Sequence, residues 1–210
     1  MITVYWNVSS DSAAKYINKG LNLSKQIKDS AHIAFFYDSY GNYYNDQRVY
    51  EKSIKYLDTA YSFYVRFEDT TKMAEVLIDI GVGYSRLGKY DKELEATSKA
   101  LVLLENEKDS FLLYSVCNNL GTFYLSTGEL DKAESFLNRA LKITKSLKLS
   151  EFSLVPNLNL GNIAQDEKQF SKAIMYYKEV YRIADSLNVP LSKGLSQSNM
   201  AYTFFFNERL

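Results

Sequence analysis

Few residues in this chain have the types and spacing that catalysis requires. Ser12 and Lys15 match the S-x-x-K pattern, in which a lysine can act as the base for a serine nucleophile. The companion motifs of that chemistry are absent from the sequence. Gly81, Gly83 and Gly88 have some of the spacing of a phosphate-binding loop, but they follow a helical pattern and not a strand. We therefore predict that the chain is not an enzyme.

The sequence offers equally little for binding a metal. Cys117 is the only cysteine and His32 is the only histidine. These counts exclude a Cys/His zinc site, an H-E-x-x-H metalloprotease helix and a disulfide within the chain. We predict no metal and no cofactor.

Composition narrows the class of partner. Lys plus Arg number 25 and Asp plus Glu number 25, so the basic excess typical of nucleic-acid binding is absent. Hydrophobic residues make up 46% of the chain, enough to bury a core. No run of about 18 apolar residues exists, which predicts no membrane insertion, and the first ten residues lack the pattern of a signal peptide. The sequence leaves a cytoplasmic and a periplasmic location equally open.

The main feature of the sequence is an internal repeat of 40 residues. A glycine recurs at this interval, and other columns keep the same register, including a large apolar residue nine positions after each glycine. The glycines are Gly41, Gly81, Gly121 and Gly161. Chance does not hold so many columns in phase, so we predict a repeat protein.

Each repeat is predicted to contain two helices. Around Gly121, apolar residues recur at spacings of three and four, which places them on one helical face. Gly128 interrupts this pattern, as glycine does at helix ends. Small residues let two antiparallel helices approach closely, and we expect Gly121 to face Ala133 in the second helix. The substitution Gly121→Leu should then destabilise the fold by a few kcal/mol.

Acidic residues mark the predicted helix starts. Asp29 and Asp69 precede the first helices of two repeats, and Asp131 lies where a second helix opens. Carboxylates at these positions accept hydrogen bonds from free N–H groups and oppose the helix dipole. Pro156 lies inside the first helix expected for its repeat, so it marks either a late helix start or a kink.

These columns resemble the tetratricopeptide repeat. In the third full unit the family's signature columns are filled by Cys117, Leu120, Gly121, Tyr124, Gly128, Leu130, Ala133, Leu137 and Ala140. The resemblance implies an all-α fold, an alpha–alpha superhelix of antiparallel helix pairs whose first helices line a concave surface. Three residues depart from the pattern: Ala164 at the aromatic column, and Ser53 and Glu93 at a small-residue column.

The register predicts the organisation of the chain as a single array over residues 1–210. It comprises a half unit (11–30), four units (31–70, 71–110, 111–150 and 151–190) and the first helix of a further unit (191–207). Because repeat arrays normally end in a polar capping helix, we expect a fragment of a longer protein. The 40-residue period is similar to that of signalling adaptors and bacterial sensor arrays. This similarity implies the interaction part of a larger regulatory protein.

The resemblance also implies a peptide-binding groove built from a few columns of the first helices. Carried over by column, the candidates are Asp38, Asn42, Asn45, Asp79, Arg86, Asn118, Asn119, Asn159, Asn162, Gln165 and Asn199. An amide can pair with both the C=O and the N–H of an extended peptide. The carboxylates favour a neutral or basic partner. The alternative is that these amides form a solvated face or hydrogen bonds between helices.

An aromatic cluster near the end of the sequence supports a second hypothesis. Its members are Tyr202, Phe204, Phe205 and Phe206, on a first helix whose partner helix is missing. Such a cluster is typical of a packing surface. The alternative to a peptide-binding scaffold is therefore a structural module that self-associates through its open ends without a peptide ligand.

Overall fold

The computed structural model describes residues 10–105 and 111–207, and within these ranges the chain is helical, with no strand. The helices are α1 (Ser10–Gln26), α2 (Ser30–Asp46), α3 (Tyr50–Phe67), α4 (Thr70–Arg86), α5 (Tyr90–Leu103), α6 (Phe111–Ser126), α7 (Leu130–Leu147), α8 (Leu154–Asp166), α9 (Phe170–Ser186) and α10 (Pro190–Asn207). A 3-10 turn, Ser150–Ser153, precedes α8.

The helices fall into two compact units, Met1–Glu105 and Asn106–Leu210. Within each unit, every helix packs against the next one in the chain. First helices also contact one another: α2 contacts α4 in the first unit, and α8 contacts both α6 and α10 in the second. The predicted all-α solenoid of helix pairs is confirmed. The description of residues 1–210 as one array stays a prediction.

The turns between helices use left-handed backbone at regular intervals. Gly88 and Gly128 have φ values of +67° and +79°, which confirms them as turn glycines. At the equivalent positions, Arg48 and Lys168 adopt φ values of 59° and 60°. The left-handed conformation costs a non-glycine residue about 1 kcal/mol. The turn geometry therefore holds even where the sequence does not favour it.

The glycine column marks the closest approach of the two helices in a repeat. A Cβ atom at Gly121 would lie 2.7 Å from Cγ of Leu137, and one at Gly161 would lie 2.4 Å from Cε1 of Tyr177. The residue that faces Gly121 is therefore Leu137, sixteen positions on, and the prediction of Ala133 was wrong. Ala133 is itself fully buried in the core, one helical turn earlier.

Aspartate caps the first helices α2 and α4, whereas the second helices α3, α5, α7 and α9 have no side-chain cap. The carboxylates of Asp29 and Asp69 accept hydrogen bonds from the backbone N–H groups of His32 and Lys72, at 3.1 and 3.0 Å. The prediction that Asp131 caps α7 was wrong, because α7 already begins at Leu130 and its cap residue makes no side-chain hydrogen bond. Asp131 lies in the first turn, where it opposes the helix dipole.

Because α4 has a side-chain cap and α5 has none, substitution of the two cap residues should lower the free energy of unfolding by different amounts. Asp69→Ala leaves the N–H of Lys72 without its side-chain acceptor and should lower the free energy of unfolding by about 1 kcal/mol. Lys89→Ala, at the cap of α5, removes no cap hydrogen bond and should change it by less than about 0.5 kcal/mol. Urea denaturation of the two variants beside the wild type measures both values. Equal losses would contradict the assignment.

Pro156 marks a late helix start. The 3-10 turn occupies the positions where the first helix of this repeat was expected, and α8 begins at Leu154. Pro156 is therefore in the first turn of α8, where its missing N–H is not needed. The amide of Asn157 donates to the carbonyl oxygen of Ser153 at 2.8 Å and joins the turn to the helix.

Candidate functional site

In the first unit, polar side chains from α2 and α4 form a surface that we call the acidic face: Asp38, Asn42, Lys72, Glu75 and Asp79. The amide of Asn42 donates to Oδ1 of Asp38 at 3.0 Å, and the hydroxyl of Tyr64 donates to Oδ2 at 3.4 Å. Burial raises the pKa of Asp38, and the charge of Lys72 partly offsets this. Asp38 and Asn42, two of the predicted groove residues, are thus joined directly.

Asp79 is the most perturbed carboxyl group of the acidic face. Burial, with the negative charges of Asp38, Glu75 and Asp46, raises its pKa from 3.8 to about 7. Lys72 opposes the shift but is itself engaged in an ion pair with Glu75. At neutral pH the Asp79 carboxyl group therefore exchanges readily between its neutral and charged forms. A cation placed here would favour the charged form.

Asn45 and Arg86 lie together in a separate cavity of the first unit. Its volume is about 330 Å³, and it is lined by Asn45, Asp46, Arg48, Tyr50, Val82 and Arg86. The cavity contains both signs of charge, and neither Asp38 nor Asp79 lines it. The predicted groove residues of this unit therefore divide into two places.

In the second unit, amide side chains line the first helices α6, α8 and α10. We call Asn118, Asn119, Asn159, Asn162, Gln165 and Asn199 the amide face. Asn159 donates a long hydrogen bond of 3.5 Å to Oγ1 of Thr122. The Oδ1 atom of Asn118 is buried, and no partner for it occurs in the described part of the chain. Within residues 10–105 and 111–207, the side chain of Asn119 forms no hydrogen bond.

Three members of the amide face are joined in an internal network. The hydroxyl of Tyr177 donates to Oδ1 of Asn162 at 2.9 Å, and the amide of Asn199 donates to the same atom at 3.3 Å. Gln165 accepts from the hydroxyl of Thr203 at 2.7 Å. At α8 and α10 the amides therefore form hydrogen bonds between helices. This is the alternative to peptide binding that the sequence left open. Asn119 and Asn159 keep most of their hydrogen-bonding capacity.

The aromatic cluster of α10 is exposed. The exposed fractions are 53% for Tyr202, 48% for Phe204, 50% for Phe205 and 39% for Phe206. The ring of Tyr202 contacts that of Phe206, with centroids 4.5 Å apart. This is an unusual concentration of large apolar surface on one helix.

The cysteine, possible metal sites and possible membrane helices lie outside the features described so far. Cys117 is buried in the core, and burial raises its pKa to about 11, which keeps it a thiol. Among the described residues, no group of three or more His, Cys, Asp and Glu is placed to hold a metal ion. In the same ranges, no helix combines the length and apolar character needed to cross a membrane.

Part of the chain matches a known protein family. A tetratricopeptide repeat family model matches residues 112–186. This segment contains the close approach of Gly121 to Leu137 and the turn at Gly128. Together with the fold, this match supports assignment of the chain to the tetratricopeptide repeat family. No curated protein matches it.

Several solved structures share the fold of this chain. BtubC (BKLC) from P. vanneervenii is 20% identical with a TM-score of 0.78, over 87% of this chain and 76% of its own. A signal transduction ATPase (STAND) with a tetratricopeptide repeat sensor, from Pyrococcus horikoshii, is 20% identical with a TM-score of 0.84. That match covers 94% of this chain and 31% of the ATPase. Aspartyl phosphate phosphatase F from Bacillus subtilis is 13% identical with a TM-score of 0.68, over 95% and 55%.

At these identities the similarity establishes the fold. The chain spans about a third of the ATPase and about half of the phosphatase. Tetratricopeptide repeats of this kind form scaffolds for protein interactions.

The departure at Ala164 has a structural explanation. Three repeats carry tyrosine at that column and a smaller residue facing the glycine, whereas the last full repeat has Ala164 and Tyr177. Tyr177 is fully buried against Gly161, so in this repeat the aromatic ring comes from the second helix and not from the first. Its hydroxyl organises the internal network, a role that the sequence analysis missed. The exchange of ring positions between the two columns is the signal that could have revealed it.

Four other residues of the two faces were missed. Glu75 lies one turn, and Lys72 nearly two turns, before the columns that we considered. Tyr64 belongs to a second helix, and Thr203 occupies a column that is otherwise mostly apolar. A polar residue in such a column is a recognisable signal. The contribution of Tyr64 depends on packing between helices and has no signal in the repeat pattern.

The internal network predicts a measurable loss for Tyr177→Phe. Removing the hydroxyl takes away its hydrogen bond to Oδ1 of Asn162 and the longer alternative contact with Oε1 of Gln165, so the free energy of unfolding should fall by about 1–2 kcal/mol. Tyr202→Phe removes an exposed hydroxyl and serves as the matched control, with an expected change below about 0.5 kcal/mol. Equal unfolding midpoints for the two variants would contradict the role of Tyr177.

Proposed function

We propose that this protein is a scaffold that binds an extended, basic polypeptide segment on the polar faces of its first helices. The observation that carries the proposal is that each unit has a polar face on its first helices, with a crowded set of carboxylates in the first unit and under-used amides in the second. The proposal assigns no catalytic role to the chain. It places the chain as the sensory or interaction part of a larger, bacterial regulatory protein, and the sensor named in the STAND ATPase structure supports the sensory role.

The amide face supplies groups that suit a peptide backbone. Asn119 offers a donor pair and an acceptor that no described residue occupies, and Asn159 uses only one donor, in a long bond. Side-chain amides can hold the C=O and N–H groups of an extended chain with little regard to its side chains. Asn162, Gln165 and Asn199 would support the face from below through their mutual hydrogen bonds.

The acidic face supplies the preference for positive charge. Asp38, Glu75 and Asp79 gather three carboxyl groups around a single lysine. A lysine or arginine side chain of the ligand would relieve their mutual repulsion and form charge-assisted hydrogen bonds. Because the pKa of Asp79 is about 7, binding of such a cation should release a proton near neutral pH.

Selection from a random peptide display library tests this proposal with no partner assumed. Wild-type protein should enrich extended sequences rich in Lys and Arg. The double variant Asn119→Ala/Asn159→Ala should lose the enriched peptides by about tenfold in affinity, the effect of losing one or two hydrogen bonds. Asp79→Asn should keep peptide binding but lose the preference for basic residues.

Asn138→Ala provides the matched control, since Asn138 is an exposed amide on the second helix α7. Peptides that bind this control and the double variant alike would place the interaction elsewhere on the molecule. Enrichment of acidic peptides would contradict the assigned charge preference.

Self-association through α10 is the alternative function, and the exposed aromatic cluster favours it. In this case Tyr202, Phe204, Phe205 and Phe206 would pack against a second copy of the chain. Light scattering after size exclusion separates the two functions. A dimer lost on Phe205→Asp, together with no enriched peptide, would support the structural role over the peptide-binding one.

A further inference from the structure

A second concave feature of the first unit lies between α2 and α3. It is a cavity of about 380 Å³, lined by Tyr37, Tyr44, Lys52, Lys55, Tyr56 and Thr59. We call it the Tyr–Lys cleft. Its lining contains no carboxylate and shares no residue with the acidic face. Its volume falls within the range of about 300–1,000 Å³ that is usual for small-molecule sites.

Stacked tyrosine rings form one wall of the cleft. The ring of Tyr56 stacks on Tyr44 at 5.4 Å between centroids and an angle of 8°, and on Tyr37 at 6.2 Å and 29°. All three rings are partly exposed. Burial and the neighbouring tyrosines raise the pKa of Tyr56, so its hydroxyl stays protonated. The wall therefore presents flat apolar surface together with hydroxyl donors.

Lysines without acidic partners surround these rings. Nζ of Lys52 lies 5.3 Å from the ring centroid of Tyr44, and Nζ of Lys25 lies 5.3 Å from that of Tyr37. Across residues 10–105 and 111–207, the ion pairs of the structure include none of Lys25, Lys52 and Lys55. Their combined positive charge is thus available to an anion.

The equivalent cleft one repeat later shows which residues the repeat needs for packing. Lys92 lies 5.4 Å from the ring centroid of Tyr84, the same arrangement as Lys52 on Tyr44. Repeat packing therefore accounts for that pair. The other lining positions differ: where the Tyr–Lys cleft has Tyr37, Lys55, Tyr56 and Thr59, the next one has Leu77, Glu95, Ala96 and Lys99.

The exchanges at Tyr37, Lys55 and Tyr56 each add an aromatic ring or a positive charge relative to the later cleft. The exchange at Thr59 removes a lysine, so two lysines line each cleft, and the later one differs in charge by its carboxylates Asp58 and Glu95. The later cleft shows that the fold forms without the added groups. Their common effect is a site for a ligand that has both a planar ring and negative charge.

We propose that the Tyr–Lys cleft binds a small aromatic phosphate, a planar ring that carries a phosphate group. The ring would lie against the exposed edges of the tyrosine stack, where offset and edge-to-face contacts are favourable. The phosphate oxygens would accept hydrogen bonds from the lysine ammonium groups and the tyrosine hydroxyls. Several lysines suit a dianion better than a single carboxylate.

Titration of the full chain with phenyl phosphate tests this site, with amide chemical shifts as the readout. The largest shifts should fall on residues of α2 and α3 around Lys52 to Thr59. Phenol and inorganic phosphate, which carry the ring and the anion separately, should each bind at least about tenfold more weakly. Binding of inorganic phosphate as tight as that of phenyl phosphate would overturn the proposal.

Two variants and one control complete the test. Lys55→Glu/Tyr56→Ala gives the cleft the residues of its neighbour and should weaken phenyl phosphate binding by about tenfold or more. Lys55→Gln alone, at an exposed side chain, should reduce it without disturbing the fold. Lys99→Thr alters the later cleft and should leave binding unchanged. Wild-type affinity in Lys55→Gln and the double variant, or shifts that follow Lys99, would overturn the assignment.

Discussion

Gly121→Leu is expected to lower the free energy of unfolding by about 3 kcal/mol. Even a Cβ atom at this position would lie 2.7 Å from Cγ and 2.8 Å from Cδ2 of Leu137, and 3.3 Å from its backbone nitrogen. Leu137 is fully buried and cannot move aside into solvent. The two helices of the repeat would have to separate, with loss of the core contacts between α6 and α7. Chemical denaturation followed by circular dichroism measures the loss.

Gly194→Leu is the matched control for this substitution. Gly194 also lies within a helix, α10, but a Cβ atom there would meet no heavy atom within 4 Å. Replacing a helical glycine at such a site should leave stability unchanged or raise it by about 1 kcal/mol through helix propensity. A Gly121→Leu variant as stable as the control would contradict the register of helix packing.

Asp79→Asn is expected to stabilise the protein at pH 8 by about 2 kcal/mol and to have little effect near pH 4. The pKa of Asp79 is about 7 in the folded protein and close to 3.8 in the unfolded chain, because folding buries its carboxyl group beside other carboxylates. Full burial would make this difference equivalent to about 4 kcal/mol, and partial contact with solvent reduces it. Unfolding free energies of variant and wild type, measured from pH 4 to pH 8, give the difference directly.

The sign follows from proton binding. Between pH 3.8 and about 7 the folded form holds the Asp79 proton more tightly than the unfolded chain does, so the stability contributed by this group falls as pH rises through that window. The advantage of Asp79→Asn should therefore grow over the same window. Asp166→Asn, which removes an exposed carboxylate, is the matched control. A pH-independent difference for Asp79→Asn would contradict the crowding of the acidic face.

The fold could be predicted because the repeat constrains it many times over. The spacing of Gly41, Gly81, Gly121 and Gly161 gave the helix pairs, since close approach of helices requires a small residue at a fixed position. The same spacing could not identify the residue that faces each glycine. That contact depends on how the second helix is rotated, and the structure selects Leu137 and not Ala133.

The candidate site was predictable only at the level of columns. By their positions in the repeat, Asn119, Asn159 and Asn162 were all predicted to be groove residues. In the described structure, Asn162 accepts a hydrogen bond from Tyr177, whereas the side chain of Asn119 forms none. Which amide is used internally depends on side chains that arrive from the second helices. The crowding around Asp79 likewise arises from Glu75 one turn earlier on α4 and from Asp38 on α2, a combination that no single column contains.

Cross-linking of a selected peptide to the full chain tests the central claim most directly. A library-selected basic peptide that carries a photoreactive group at successive positions would be bound, irradiated and mapped by mass spectrometry. The account predicts cross-links on the first helices, at α2 and α4 where the peptide lies on the acidic face and at α6 and α8 where it lies on the amide face. Cross-links confined to the second helices α3, α5, α7 and α9, or to the aromatic cluster of α10, would contradict it.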